Sequence, residues 1–508
     1  MAAENVILDV VLDQGPLGLD DVVVVARKGA AVRVDPAVSE RLRRGRAVVD
    51  RHERENRPVY GLTRGLGGQV VNDVPVQERA DFSRIVVLAR ASGGGAPLPR
   101  EAVRATLFAR AAGLSRGGAG VRSVLLERLL AMLNAGVHPL IPSVGSVGAS
   151  DLALMANAAL PLIGEGRAEF DGVTMAGAEA MRRAGLAPLE LQSKEGLALC
   201  SANAVSTGLG ALVLRDALDL ADLLDGIAVL TFEAFRANPS PLDERVAAAR
   251  PAPGQVEAAA RLRGLLAGSA LFEAGEPRRL QDPISLRCAS QVHGALRSTI
   301  AFARAPIDIE LNGAGDNPLV LAEAEEILSN GNFHTPATAI AFDALALALH
   351  QSASLSARRA RRLLDGSLTG LPDRLTRHGM TRLGAALLSA TADTLSREVR
   401  RLTAPASADD TEVHPVEDHS PMTLSAVRKA GEIVALMRQI VSCELIVASQ
   451  ALELRSPAAI CPAARRLFEA LREVVPALDE DRSQTEDLER ATALVASGRL
   501  NALLREAV

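Results

Sequence analysis

Apolar residues return every three or four positions in one long segment after another, and that spacing fixes the fold class before any motif is read. Such runs cover residues 101–114, 205–235, 255–268, 335–365, 380–402 and 422–455. Apolar side chains at that period share one face of an α-helix. Leu126, Leu129, Leu130 and Leu133 fall on another such face, with Ser123 placed to cap the helix and Gly136 to end it. Before Pro36 the pattern differs. VILDVVL, DVVVVARKG and AAVRVD, within residues 5–35, alternate in short bursts that predict a small β element. The chain is therefore read as mainly α, a long-helix bundle with a small β-containing N-terminal part. It divides into an N-terminal part at 1–200 with the β element and the loops, a central long-helix part at 201–460, and a helical cover at 461–508.

The core must be aliphatic, because 508 residues include ten Phe, one Tyr and no Trp. With 48% apolar and 23% charged residues the chain is an ordinary globular one. A net charge of -5 offers no attraction to nucleic acid or an anionic membrane. Lys28, Lys194 and Lys429 are the only lysines, so a Schiff base has three candidates. Cys200, Cys288, Cys443 and Cys461 stand far apart and form no CxxC pair, which predicts a reducing compartment without disulfides or zinc. The first residues lack the basic start and apolar run of a signal peptide. The longest uncharged stretch, Gly196 to Leu214, is interrupted by Ser, Asn and Thr and is read as a buried helix. These features predict a cytoplasmic protein.

Glycine-rich breaks at 61–68, 92–96, 145–148 and 312–315 fall between helices, where a bundle places its chemistry. The first follows the single tyrosine, Tyr60. Glycine permits close approach, so this loop can present a phenol to a cavity, or can be a turn with a packed ring. No GK[ST] follows, so it is not a phosphate loop. A phenol needs positive surroundings, such as helix N-termini, to serve as a base. The third break reads Gly145-Ser146-Val147-Gly148-Ala149-Ser150-Asp151-Leu152, in which Ser150 or Asp151 can be a helix cap. Arg287 can satisfy a helix end or an internal acid. Lys194 is read as a surface or cap lysine. His414 and His419 flank Glu417, but Pro415 interrupts a regular turn and no HExxH is present, so no metal site is assigned.

Taken together these segments resemble the histidine/phenylalanine/tyrosine ammonia-lyase and aminomutase family. GSVGAS is similar to its segment whose Ala-Ser-Gly triplet cyclises into the electrophile methylidene-imidazolone. Lys194–Leu199 resembles KEGLAL, Gln281–Cys288 resembles QDPYSLRC, Asn312 to Leu319 resembles NxxxDNPL, Asn330–His334 resembles GGNFH, and Glu417-Asp418-His419 resembles EDH. The likeness spans roughly residues 55–425. It implies a helical bundle of the ammonia-lyase type, a homotetramer, and active sites built by loops of three subunits. It also implies that Tyr60 removes a β-proton and that Arg287 binds the substrate carboxylate through its guanidinium fork. Asn317 and Phe333 line the reacting region, Glu417 meets the amine or the electrophile, and Gly61 and Ser201 join the substrate-binding set.

The pattern departs from the family at the cyclising triplet. Asp151 follows Ala149-Ser150 directly where the family reads Gly-Asp-Leu, and matching Asp151-Leu152-Ala153 to the family implies a deleted glycine. Ring closure needs the third residue's amide nitrogen to attack the first residue's carbonyl carbon, in a compressed backbone that glycine tolerates and a β-carbon resists. Cys200-Ser201-Ala202-Asn203 replaces the asparagine after KEGLAL, Ile284 the tyrosine, and Val416 the glutamine before EDH. Arg90 stands where histidine-specific relatives carry a histidine. It favours an anionic or carbonyl-rich group, or pairs with a nearby carboxylate. The leading expectation is elimination, or its reverse, across Cα–Cβ of an amino-acid-like substrate without a cyclised cofactor. Two alternatives stand beside it: a conventional ammonia-lyase or aminomutase that closes the ring from Ala149-Ser150-Asp151, and a non-catalytic tetrameric binding protein.

Overall fold

The computed structural model describes residues 9–13, 15–408, 416–456 and 459–506. The periodic runs fold as the helices Arg100–Ser115, Ala204–Phe235, Pro253–Leu265, Pro336–Leu363, Ala386–Arg401 and Thr423–Arg455. One more long helix, Ala289–Asn312, continues through Pro306 and buries Leu296, Ile300, Ala303, Ile307 and Leu311 along one face. The C-terminal stretch forms the helices Pro462–Arg472, Thr485–Ala496 and Arg499–Arg505. The architecture is mainly helical, as the periodic runs predict.

Strands are short. Val10–Leu12 pairs in parallel with Val32–Val34, Val10 opposite Val32. The burst between them is not a strand, contrary to the expectation from its alternation: Leu19–Lys28 is a helix. Parallel neighbours need a crossover, and a helix supplies it. Asp20 and Asp21 open that helix, Arg27 and Lys28 end it, and Gly29 closes it at φ 74, each in accord with the helix dipole and a left-handed cap. Leu19, Val22, Val25 and Ala26 carry its buried face, a helical period hidden inside four consecutive valines.

Two further expectations change. Ser123 is the first helical residue, and the capping position belongs to Arg122, whose guanidinium instead holds Glu195. The uncharged stretch is buried but is not one helix. Glu195–Cys200 ends, Ser201 to Asn203 interrupt, and Ala204–Phe235 begins. By length and composition the segment Glu195–Phe235 could cross a membrane, but 94% of its most apolar window is buried inside the protein.

The chain forms two compact units from separated stretches. The first comprises the described residues of Met1–Arg215, Ala303–Phe342 and Pro405–Arg428, and the second those of Asp216–Phe302, Asp343–Ala404 and Lys429–Val508. In the second unit, Arg359 and Glu444 are paired with both side chains wholly buried. The first unit carries all four glycine-rich loops, and with them the candidate site.

Candidate active site

Tyr60 sits where the chain leaves helix Pro36–Arg54 and doubles back. The carbonyl of Val59 accepts from the amides of Leu62, Thr63 and Arg64 at 3.2, 3.1 and 3.0 Å, which makes the turn tight. Gly61 holds φ 66, and a β-carbon there would collide with Leu197 and Leu66. Only glycine fits. The phenol oxygen of Tyr60 accepts the amide N–H of Gly67 at 3.0 Å, which fixes the ring over the loop.

The serine turn faces it across a cavity of about 340 Å³. Gly148 (φ 89) packs where a β-carbon would approach the amide nitrogens of Met422 and Thr423 to 3.0 Å. Ala149 bridges to His334, and Ser150, at φ 62, donates its amide to the Phe333 carbonyl at 3.3 Å. The Ser150 and Ser201 hydroxyls lie 3.4 Å apart. Asp151 points away from the cavity and is fully buried. Its carboxylate accepts from Ser146 Oγ at 2.7 Å and from the amide and hydroxyl of Ser206, in the first turn of helix Ala204–Phe235. Its own amide N–H donates to the Ala202 carbonyl at 2.9 Å. Burial pushes the Asp151 carboxyl above the usual range, and these hydrogen bonds oppose the shift.

The cavity brings together Tyr60, Arg90, Ala149, Ser150, Ser201, Asn317, Phe333 and Glu417, with Leu152, Leu197 and Val416 among its apolar walls. Asn317 is held by the Asn330 amide, which donates to its Oδ1 at 3.0 Å. His419, two residues past Glu417, meets His334 at 2.7 Å between ring nitrogens. Gly61 and Asp151 lie in the supporting turns and do not line the space. Arg287 belongs to the second unit, where its guanidinium donates to the Gln281 side-chain carbonyl. His414 and Pro415 lie outside the described residues. Lys194 is not on the surface, but it does hold the cap position of helix Glu195–Cys200. It is buried at φ 73 with Nζ donating to the Ala119 carbonyl, and burial lowers its pKa to about 8.

Sequence reasoning missed Glu310 and Asn203. Behind the serine turn, Asn203 Nδ2 donates to the Phe333 carbonyl at 3.0 Å and to Glu310 at 3.4 Å. Burial raises the Glu310 carboxyl to about 7, with Asn203 opposing and Asp151 adding to the shift. An acid among the apolar residues Ile307 and Leu311 was the available signal. A carboxyl whose folded pKa lies above its unfolded one favours folding at low pH, and that stability is lost as pH rises through the folded value. Glu310→Gln is therefore expected to gain stability over the native protein at about pH 8, on the order of 1–3 kcal/mol, and to flatten the slope below it. Urea midpoints at about pH 5 and about pH 8 measure this; the same pH slope in both proteins would refute it.

A family model described as aromatic amino acid lyase matches residues 17–473. The chain is 43% identical over 488 residues to the histidine ammonia-lyase of Symbiobacterium thermophilum, covering 95% of this chain and 96% of that one. It matches the crystal structure of tyrosine aminomutase from Streptomyces globisporus with a TM-score of 0.94 at 32% identity, over 99% of each chain. It matches Ergothionase, the ergothioneine-degrading enzyme of Treponema denticola, with a TM-score of 0.93 at 30% identity, over 97% of this chain and 99% of that one. The fold is thus that of the ammonia-lyases and aminomutases, and the chain is a carbon–nitrogen lyase. The chain belongs to the aromatic amino acid lyase family.

Proposed function

We propose that this enzyme eliminates the amine across Cα–Cβ of a carboxylate-bearing amino acid, or adds it in reverse, without a cyclised methylidene-imidazolone. The observation that carries this reading is the double commitment of Asp151. Its amide, the nucleophile ring closure would require, donates to Ala202, and its carboxylate is anchored to Ser146 and Ser206. Ring closure would draw that nitrogen toward the Ala149 carbonyl and away from both anchors. The residues present do not fit the ring.

In this reading the Tyr60 oxygen takes the β-proton, and Glu417 accepts hydrogen bonds from the amine across the same cavity. Asn317 and Phe333 shape the space, Ser201 and Ser150 offer hydroxyls, and Gly61 holds the tyrosine turn. Arg287 binds the α-carboxylate as part of a homotetramer whose sites are shared between subunits. The enzyme acts in the cytoplasm. The relatives named above act on different substrates, so the family likeness leaves the side chain open.

Mass spectrometry of the intact purified protein tests the ring-free reading. The full unmodified mass is expected. A chain lighter by two waters would establish ring closure from Ala149-Ser150-Asp151 and with it the conventional mechanism. Binding of amino acids without turnover of any would support a non-catalytic role instead.

A further inference from the structure

Arg90 is the last residue of helix Arg79–Arg90 and lines the cavity with Tyr60 and Glu417. It is half-buried, and among the described residues its side chain makes no hydrogen bond or ion pair. Other guanidiniums of this unit are committed: Arg110 to Asp316, Arg122 to Glu195 and Arg46 to Asp50. A cation at a helix C-terminus is favoured by the dipole, but that leaves its five N–H donors unused. Of the two sequence readings of Arg90, pairing with a neighbouring carboxylate finds no partner among the described residues. The guanidinium faces the space a ligand would fill.

We propose that Arg90 holds a carboxylate or carbonyl attached to the substrate's β-carbon and stabilises the charge that forms there when the β-proton leaves. This inference rests on the ring-free reading. Once Tyr60 removes a proton from Cβ, the electron pair needs an acceptor. Leu152, Leu197, Val416 and Phe333 offer none. A guanidinium on the α-carboxylate would act at Cα and leave the β-proton no more acidic. A carbonyl on Cβ receives the pair directly as an enolate, and a guanidinium lining the same cavity is well suited to that charge.

The step balances. The phenolate oxygen of Tyr60 takes the β-proton, and the C–H pair becomes the Cβ–Cγ double bond of the enolate held by Arg90. That pair then forms Cα=Cβ as the Cα–N bond breaks. The nitrogen leaves with its bonding electrons and takes the proton from the Tyr60 phenol, giving an unsaturated acid and ammonia. No oxidant or reductant takes part. Glu417 accepts N–H bonds from the amine, bound as the free base. The substrate class is a 2-amino acid with a carboxylate or carbonyl on its β-carbon.

The test uses the full-length protein in deuterated water with aspartate, 3-methylaspartate, asparagine, histidine, phenylalanine and tyrosine. Ammonia release and β-deuterium incorporation are both read. At least one of the first three is expected to react, at least tenfold faster than any aromatic amino acid. In Arg90→Gln that reaction should fall about a hundredfold in kcat, as loss of a charge-stabilising donor predicts. Arg90→Lys and a melting curve separate this from misfolding. Reaction of the aromatic set alone by a chain of full mass would overturn the Arg90 proposal and leave the ring-free reading standing. The same selectivity in a chain lighter by two waters would overturn both. Undiminished exchange in a folded Arg90→Gln protein, or no exchange with any of the three carbonyl-bearing amino acids, would also overturn the Arg90 proposal.

Discussion

Tyr60→Phe is expected to lower kcat by roughly 10²–10⁴-fold while leaving the fold intact, because it removes a proton-transfer group and little else. The phenol oxygen makes one structural contact, accepting from the Gly67 amide at 3.0 Å, and the side chain is only half-buried. Loss of that bond is worth about 1 kcal/mol, well within what a large helical chain tolerates. The turn itself is held by the Val59 carbonyl and by Gly61, which the substitution does not touch. Ligand affinity should therefore stay near its native value while turnover collapses, and a KM-against-kcat split shows it. Turnover within threefold of native would remove Tyr60 from the mechanism. The same variant should lose β-deuterium exchange, since exchange and elimination share the proton-removal step.

Much of this site was legible because family-like motifs sit at loops between strongly periodic helices. Tyr60, Ser150, Asn317, Phe333 and Glu417 come from five separate segments, and one cavity gathers them. What could not be read was how neighbouring groups spend their hydrogen bonds. The sequence left Arg90 open between a partner and a ligand, and only the fold shows that no described carboxylate reaches it. Asp151 reads as a helix cap, and it does hold that position for helix Leu152–Ala159, yet its side chain serves a different helix fifty-five positions away at Ser206. The valine burst at 22–25 misled because alternation over so few residues fits both periods, and the acids before it and bases after it were the better guide. Ala289–Asn312 carries a clear apolar stripe, but Gly294 and Pro306 obscure it. The compact units are likewise assembled from stretches far apart in the chain.

Glu444→Gln should produce the largest loss of stability, about 3–5 kcal/mol, because it strands a cation in the core. Glu444 lies on helix Thr423–Arg455 and Arg359 on helix Pro336–Leu363, and both are wholly buried. Arg359 Nε and Nη2 donate to the two carboxylate oxygens at 2.6 and 2.9 Å, a bidentate fork. Thr231 and Ser356 hydroxyls fill the remaining acceptor sites at 2.8 and 2.6 Å, so every polar edge of the carboxylate is satisfied. A neutral amide keeps the shape, removes the charge, and turns one of those acceptors into a donor facing the guanidinium. Replacing both partners, as Arg359→Met with Glu444→Leu, removes the buried charges together and is expected to recover most of the loss. Urea unfolding at one fixed protein concentration measures all three proteins, since assembly would otherwise shift the midpoints. A Glu444→Gln protein within 1 kcal/mol of native, or a double variant no better than the single one, would mean that the pair is not what holds these helices in register.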